Sequence, residues 1–237
     1  DRYGRKKVFI VLGILFAISA IGSALANGPY VFSLFRFIGG IGIGVSSVVA
    51  PTYISEISTP KTRGKLGALY QFNIVFGILA AFLSNYFLQG FGGENDWRWM
   101  LGILLVPSVI FTLMVFGIPE SPRWLITQKN NILAASNIFK EMGVEDVQKE
   151  VDFIIKGNKT NSSDFKTDSF FIVKHKKVIW LAFLIAFFNQ LSGINFILYY
   201  APEILSRIGL GAKDSLLNSI AIGGINLIFT FVGLYLI

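Results

Sequence analysis

Five side-chain amides lie in stretches of the sequence that are otherwise strongly apolar, and they are the residues best suited to bind a ligand. These amides are Gln71, Asn189, Gln190, Asn195 and Asn226. Burying an unpaired amide costs on the order of a few kcal/mol, so each must bond a neighbouring helix or line a wet cavity. An amide offers donors and an acceptor without charge, which suits a ring of hydroxyls. The amides therefore predict a hydroxyl-binding cavity, with hydrogen bonding between helices as the alternative.

The spacing of the amides places several of them on shared helix faces. Asn195 and Tyr199 are four residues apart, which puts them on one face of a helix. Ser192 and Gly193 give that helix a place to unwind, so that Gln190 can be aimed at the same cavity. A second face has the spacing i, i+3, i+7 and consists of Gln71, Ile74 and Ile78.

Acidic and basic residues are interleaved at the ends of the apolar stretches. They are Asp1, Arg2, Arg5, Glu56, Arg63, Glu120 and Arg123. Arginine–carboxylate pairs at helix ends can hold two helix bundles together and release when the bundles rock apart. Basic residues alone would suffice to set the membrane topology, so the interleaved acids favour an ion-pair latch over that simpler role.

Arg36 differs from these charges because it lies inside an apolar stretch. A charge at such a position pairs with a partner, lines an aqueous path or snorkels to the interface. We expect Arg36 to pair with a carboxylate outside this sequence, with snorkelling to the outer headgroups as the alternative.

The composition provides a membrane scaffold for these residues. Of the 237 residues, 53% are hydrophobic and 15% are charged, whereas soluble domains are roughly 25% charged. A helix needs about 20 apolar residues to cross a hydrocarbon core of ~30 Å. Six stretches meet this requirement: 8–26, 31–55, 66–88, 99–118, 178–200 and 216–237. We therefore predict an all-α, polytopic helix bundle in a lipid bilayer.

The basic residues support this count of spans. Four precede the first span, three lie between the second and third, and ten lie between the fourth and fifth, so 17 of 21 fall on one side. Short basic loops stay cytoplasmic, so these three segments are expected there. This topology explains the net charge of +7 without a nucleic-acid partner.

The sequence divides at its polar central segment. We predict that residues 1–119 form part of an N-terminal bundle, 120–177 a cytoplasmic linker domain of short amphipathic helices, and 178–237 the start of a C-terminal bundle. Within the linker domain, 157–168 reads as a flexible linker. Both chain ends look cut, so we expect a piece of a longer membrane protein. Because the chain has no cysteine and its single histidine, His175, has no metal-binding neighbours, we expect no disulfide, metal or cofactor.

Residues 36–47 carry several closely spaced glycines. Gly40, Gly42 and Gly44 imitate part of a nucleotide-binding loop, but the full spacing of that motif is missing and the run lies inside a span. Small residues there let helix backbones approach closely. We therefore predict close helix packing.

Several motifs together resemble the sugar porter family of the major facilitator superfamily. In chain order they are DRYGRKK, RFIGGIGIG, PTYISEISTPKTRG, NDWRWM, PESPRWL and NQLSGINFILYYAP. The resemblance implies that the six spans are helices 3 to 8 of twelve, in a transporter that alternates access to a midplane sugar site.

The resemblance also implies roles for the candidate residues. Gln71, Gln190, Asn195, Tyr199 and Asn226 would contact or border the sugar, and Ile74 and Ile78 would line its cavity. Asn189 stands where the family motif usually has Gln, and its side chain is one methylene shorter, which would move or remove a contact to a sugar hydroxyl. Arg36 matches the helix 4 arginine that neighbours an acidic residue on helix 1 in proton-coupled members.

These observations predict transport of a monosaccharide, a hexose or a pentose, by a facilitator or a proton symporter. We expect it in the plasma or inner cell membrane, where it needs the missing helices of the parent chain. A transporter-like sugar receptor is the alternative. An enzyme would need an acid, base, nucleophile or metal at a cavity, and Arg36 is the only charged residue well inside a predicted span.

Overall fold

The computed structural model describes residues 3–59, 62–144, 146–164 and 176–236, and these residues form helices and no strands. The α-helices are α1 Arg5–Leu25, α2 Pro29–Ile57, α3 Arg63–Leu88, α4 Asp96–Gly102, α5 Leu105–Gly117, α6 Pro122–Lys129, α7 Ile132–Glu141, α8 Val147–Asp164, α9 Lys176–Leu191, α10 Ile194–Arg207 and α11 Ala212–Leu236. The predicted all-α class is confirmed.

Five segments of the described chain are long and apolar enough to cross a membrane. All five correspond to spans expected from the sequence, and four of them are α1, α2, α3 and α11. The fifth, Gly93–Gly117, joins a short 3-10 turn, α4 and α5.

The remaining predicted span, 178–200, is not one continuous helix. It consists of α9 and α10, which are separated at Ser192 and Gly193. Gly193 has φ +74°, a left-handed conformation that glycine adopts more readily than residues with a side chain. The predicted interruption of the helix is therefore confirmed.

Helix α1 lies at the centre of the first bundle and packs against α2, α4 and α5. Phe9 and Leu12 are buried against Tyr53 of α2 and Val115 of α5. The rings of Phe9 and Tyr53 meet edge to face with centroids 5.3 Å apart, a geometry that aromatic pairs prefer.

Small residues allow α1 and α2 to approach closely. A Cβ on Gly42 would lie 2.7 Å from the ring of Phe16, and one on Gly39 would meet the hydroxyl of Ser19. Close packing is thus confirmed at Gly42. It does not extend to Gly40 and Gly44, which have open space in the Cβ direction because they lie on other faces of α2.

Gly22 of α1 gives a test of this packing. A Cβ there would overlap the ring of Phe35, so Gly22→Ala is expected to destabilise the full-length protein by about 1–3 kcal/mol. Gly117→Ala is the control, since nothing lies within 4 Å of that Cβ position. Thermal unfolding in detergent should show a lower Tm for the first variant only. An equal effect of both variants would contradict close packing at Gly22.

The linker helices α6, α7 and α8 form a small core of their own. Ile126, Ala135, Phe139 and Val151 are buried together. The side chain of Ser121 caps α6 by accepting a hydrogen bond from the amide of Trp124 at 3.2 Å, as expected for a serine at a helix N-terminus.

Helix α8 is longer than the sequence indicated. It runs through Asp164, so the interpretation of 157–168 as a flexible linker is wrong for 157–164. The packed turns before residue 157 nucleate the helix, and further polar residues then extend it at low cost. The rest of that stretch, 165–168, lies outside the described residues, as does His175.

A second set of packed helices consists of α3, α11 and α10. Helix α11 packs against both α3 and α10. The rings of Phe72 on α3 and Phe231 on α11 lie 5.0 Å apart, and a Cβ on Gly223 would lie 3.1 Å from Phe82. These contacts fix an antiparallel register between α3 and α11.

Candidate functional site

The register of α3 and α11 places Asn226 opposite the segment of α3 that carries two other predicted cavity residues. Asn226 lies between the two contact points on α11, Gly223 and Phe231, which face Phe82 and Phe72 of α3. The segment of α3 between those points carries Ile74 and Ile78, and Gln71 immediately precedes it.

These side chains differ in exposure. Gln71 and Ile74 are exposed, Ile74 at 44%, whereas Ile78 and Asn226 are half-buried. Asn226 also sits beside Thr230, whose hydroxyl donates to the Asn226 carbonyl at 2.8 Å. Exposed amide and apolar groups on neighbouring helices are suited to the wall of a polar cavity.

The interruption between α9 and α10 holds the other candidates. The Asn189 carbonyl accepts a hydrogen bond from the Ser192 hydroxyl at 2.7 Å, which closes the last turn of α9. Asn195 and Tyr199 follow in the first turns of α10, and both are exposed, Tyr199 at 77%. The backbone of Gln190 lies in the last turn of α9, while its side chain lies outside the described part of the structure.

The structure thus brings the candidates onto neighbouring helices without closing a cavity around them. Gln71, Asn226 and Asn195 lie on α3, α11 and α10, and α11 contacts both of the others. Three cavities found elsewhere among the described residues are lined by none of these amides.

The charged residues near the linker helices form a second constellation, which we call the linker-end cluster: Arg5, Glu56, Arg63, Glu120 and Arg123. Arg5 donates from Nε and Nη2 to the two carboxylate oxygens of Glu56, at 3.1 and 2.9 Å. The two side chains are only 14% and 8% exposed. A two-point arginine–carboxylate contact away from water is among the stronger polar interactions in proteins.

Glu120 has a role that the sequence did not indicate. Its carboxylate accepts the backbone N–H of Arg5 at 2.7 Å and that of Lys6 at 3.2 Å. It therefore caps the N-terminus of α1, whose positive end favours an anion. Gly4 makes this approach possible, because its φ is +82° and a Cβ there would contact Glu120 and Trp124.

Two further contacts tie α5 and the segment after it to the first bundle. Lys6 Nζ donates to the carbonyl of Phe116 at 2.8 Å, and the Tyr53 hydroxyl donates to the carbonyl of Pro119 at 2.8 Å. The sequence analysis did not predict these roles of Lys6 and Tyr53. The position of Lys6 in the first turn of α1 was the one available signal that it lies at a helix end.

At the opposite end of the bundle, Arg98 holds the C-terminus of α1. Its guanidinium donates to the carbonyl of Ala24 at 2.9 Å and to the side-chain oxygen of Asn27 at 3.2 Å. A cation at a helix C-terminus is favourable. Helix α1 is therefore held at one end by Glu120, which follows the Gly93–Gly117 span, and at the other by Arg98, which lies near the start of that span.

Arg36 lines a cavity of about 350 Å³ between α1, α2 and the start of α5. Ser19 and Ser108 also line it. Among the described residues, no acidic side chain forms an ion pair with Arg36. The expected carboxylate partner remains a prediction.

The other predicted latch residues are less constrained. Arg63 and Arg123 line a second cavity at the linker end, and no described carboxylate lies within ion-pair distance of either. Asp1 and Arg2 lie outside the described residues.

The sequence is similar to known membrane transporters. The sequence matches the family described as sugar (and other) transporter over residues 1–237. It is 37% identical over 242 residues to the arabinose-proton symporter of Bacillus subtilis (strain 168), covering 100% of this chain and 52% of that protein. It is 31% identical over 264 residues to the D-xylose-proton symporter of Escherichia coli (strain K12), covering 99% and 52%.

A solved structure gives the same result for the fold. The partially occluded, inward-open conformation of the xylose transporter XylE from E. coli matches with a TM-score of 0.81 at 32% identity. The match covers 98% of this chain and 53% of that chain. The chain thus spans about half the length of the relatives that it matches.

Proposed function

Because this chain belongs to the sugar (and other) transporter family, we propose that it forms part of a protein that moves a monosaccharide across a membrane by alternating access. The chain is a multi-pass membrane protein with about half of the major facilitator fold. The remaining helices would complete the cavity around the sugar.

One observation carries the proposal: neutral amides lie on α3, on both sides of the α9–α10 interruption, and on α11. A sugar hydroxyl both donates and accepts, and so does an amide. Gln71, Gln190, Asn195 and Asn226 are proposed to bind hydroxyls, with Asn189 and Tyr199 bordering the same space. The exposed side chain of Ile74 and the half-buried side chain of Ile78 would contact the carbon face of the ring.

The linker-end cluster is proposed to act as the latch between the two bundles. Arg5 and Glu56 form its fixed part within the first bundle. Arg63 and Arg123 would pair with acids on the second bundle in one state and release them in the other.

We further propose that transport is coupled to protons. Arg36 lines a cavity within the first bundle, where a carboxylate supplied by the missing helices would pair with it when ionised and separate from it when protonated. The two symporters named above support this coupling through their similarity.

Uptake by the full-length protein tests the proposal. Cells that lack sugar uptake and express this protein should accumulate labelled xylose or glucose. A protonophore should abolish accumulation above the outside concentration, because it removes the proton gradient. Uptake that a protonophore leaves unchanged would contradict proton coupling but not sugar transport. Absence of uptake of either sugar, with the protein present in the membrane, would contradict the choice of these sugars.

A further inference from the structure

A cavity of about 560 Å³ lies at the linker end, between α2 and α3 on one side and α6, α7 and α8 on the other. This volume falls within the roughly 300–1,000 Å³ of small-molecule sites. Its main polar lining consists of Ser55, Glu56, Thr59, Arg63, Arg123 and Glu150. The cavity is separate from the amides of the proposed transport site.

Two positively charged side chains that line this cavity, Arg63 and Arg123, can bind an anion. Glu56 is occupied by Arg5, which binds both of its oxygens. Among the residues that the structure describes, neither Arg63 nor Arg123 takes part in an ion pair. Both residues line the same cavity, and guanidinium groups are well suited to bind the oxygens of a phosphate group.

The rest of the lining is suited to more than a simple anion. Glu150 adds a carboxylate, which accepts hydrogen bonds and would repel a compact anion placed beside it. The Ser55 hydroxyl donates to the carbonyl of Thr52 at 2.7 Å, so its oxygen is left to accept. Phe139 and Met142 add an apolar wall. A ligand that satisfies all of these groups carries one phosphate, several hydroxyls and an apolar face.

We propose that this cavity binds a phosphorylated monosaccharide. Its phosphate would lie against Arg63 and Arg123, and its hydroxyls would donate to Glu150 and Ser55. The binding itself does not depend on transport.

A regulatory consequence rests on the proposed function. Arg63 and Arg123 also belong to the proposed latch, so a ligand that occupies them competes with the acids of the second bundle. Bound sugar phosphate would therefore favour the state in which the bundles are apart at the linker end, since a ligand stabilises the state that binds it better.

Calorimetric titration of the full-length protein in lipid nanodiscs tests the site. The probes are glucose 6-phosphate and inorganic phosphate, added separately. Wild-type protein should bind glucose 6-phosphate more tightly than inorganic phosphate. Arg123→Gln should weaken glucose 6-phosphate at least about tenfold, which corresponds to ~1.4 kcal/mol. Glu150→Gln should remove the preference for the sugar phosphate without weakening inorganic phosphate.

Lys149→Gln is the matched control, because it removes an exposed cation that precedes Glu150 on α8. It should leave the affinity for glucose 6-phosphate unchanged. No saturable binding to wild-type protein, or an equal loss in Lys149→Gln and Arg123→Gln, would overturn the proposal. Sugar uptake without this binding would refute the sugar-phosphate site and leave the proposed transport function intact. Binding without uptake would support the sugar-phosphate site and count against the proposed transport function.

Discussion

Replacement of Glu56 by alanine is expected to destabilise the full-length protein by about 3 kcal/mol, because removing one partner of a buried ion pair takes hydrogen bonds from a charge that is held away from water. Arg5 loses two hydrogen bonds to the carboxylate, and its side chain is only 14% exposed. Thermal unfolding in detergent should show a clearly lower Tm for Glu56→Ala.

The pair formed by Glu203 and Arg207 gives the matched control. Its atoms are also 2.9 Å apart, but the side chains are 58% and 78% exposed, and the residues are four apart on α10. Such a pair contributes only about 0.3–0.5 kcal/mol. Glu203→Ala should therefore leave the Tm almost unchanged. Equal shifts in the two variants would show that the Arg5–Glu56 contact is not desolvated in the full-length protein.

Asn226→Ala is expected to have the second large effect, on transport and not on folding. Loss of the hydrogen bonds to a sugar hydroxyl should raise KM for sugar uptake at least about tenfold, which corresponds to ~1.4 kcal/mol of lost binding. Asn226 is half-buried on α11, at the height of the candidate residues on α3.

Asn218→Ala is its control on the same helix. Asn218 is exposed, and its side chain donates to the carbonyl of Asp214 at 2.9 Å, so it has a local role. Uptake kinetics of both variants should be measured at equal amounts of protein in the membrane. An unchanged KM in Asn226→Ala, or the same change in Asn218→Ala, would remove Asn226 from the proposed sugar site.

The spans and the helix break could be predicted because their causes are local. Runs of apolar residues predict the membrane helices, and Gly193, preceded by Ser192, indicated the interruption that φ +74° confirms. The packing glycines were only partly predictable. A glycine run identifies a close-packed helix, but its contact face depends on the partner helix, so Gly42 is packed and Gly44 is not.

The role of Glu120 could not be predicted because its partners are distant in sequence. It caps α1 through Arg5 and Lys6, which precede it by 115 and 114 residues. The sequence identified Glu120 as a charge at a helix end, and only the fold shows that it binds backbone amides. The same limit applies to Arg98, which the topology rule counted as a single basic residue and which holds the C-terminus of α1.

The amides of the candidate site lie between these two cases. Their types and spacing predicted shared faces, and the packing of α11 against α3 and α10 places three of them on neighbouring helices. Whether their side chains converge on one ligand depends on the rest of the cavity wall, which long-range packing determines.

Equilibrium binding of labelled xylose and glucose to the purified full-length protein, beside the Gln190→Ala variant, tests the central claim most directly. The account predicts saturable binding of at least one sugar by the wild-type protein, and a loss of that binding in the variant while its Tm stays unchanged. Wild-type affinity retained in Gln190→Ala would contradict a sugar site built from the amides at the α9–α10 interruption.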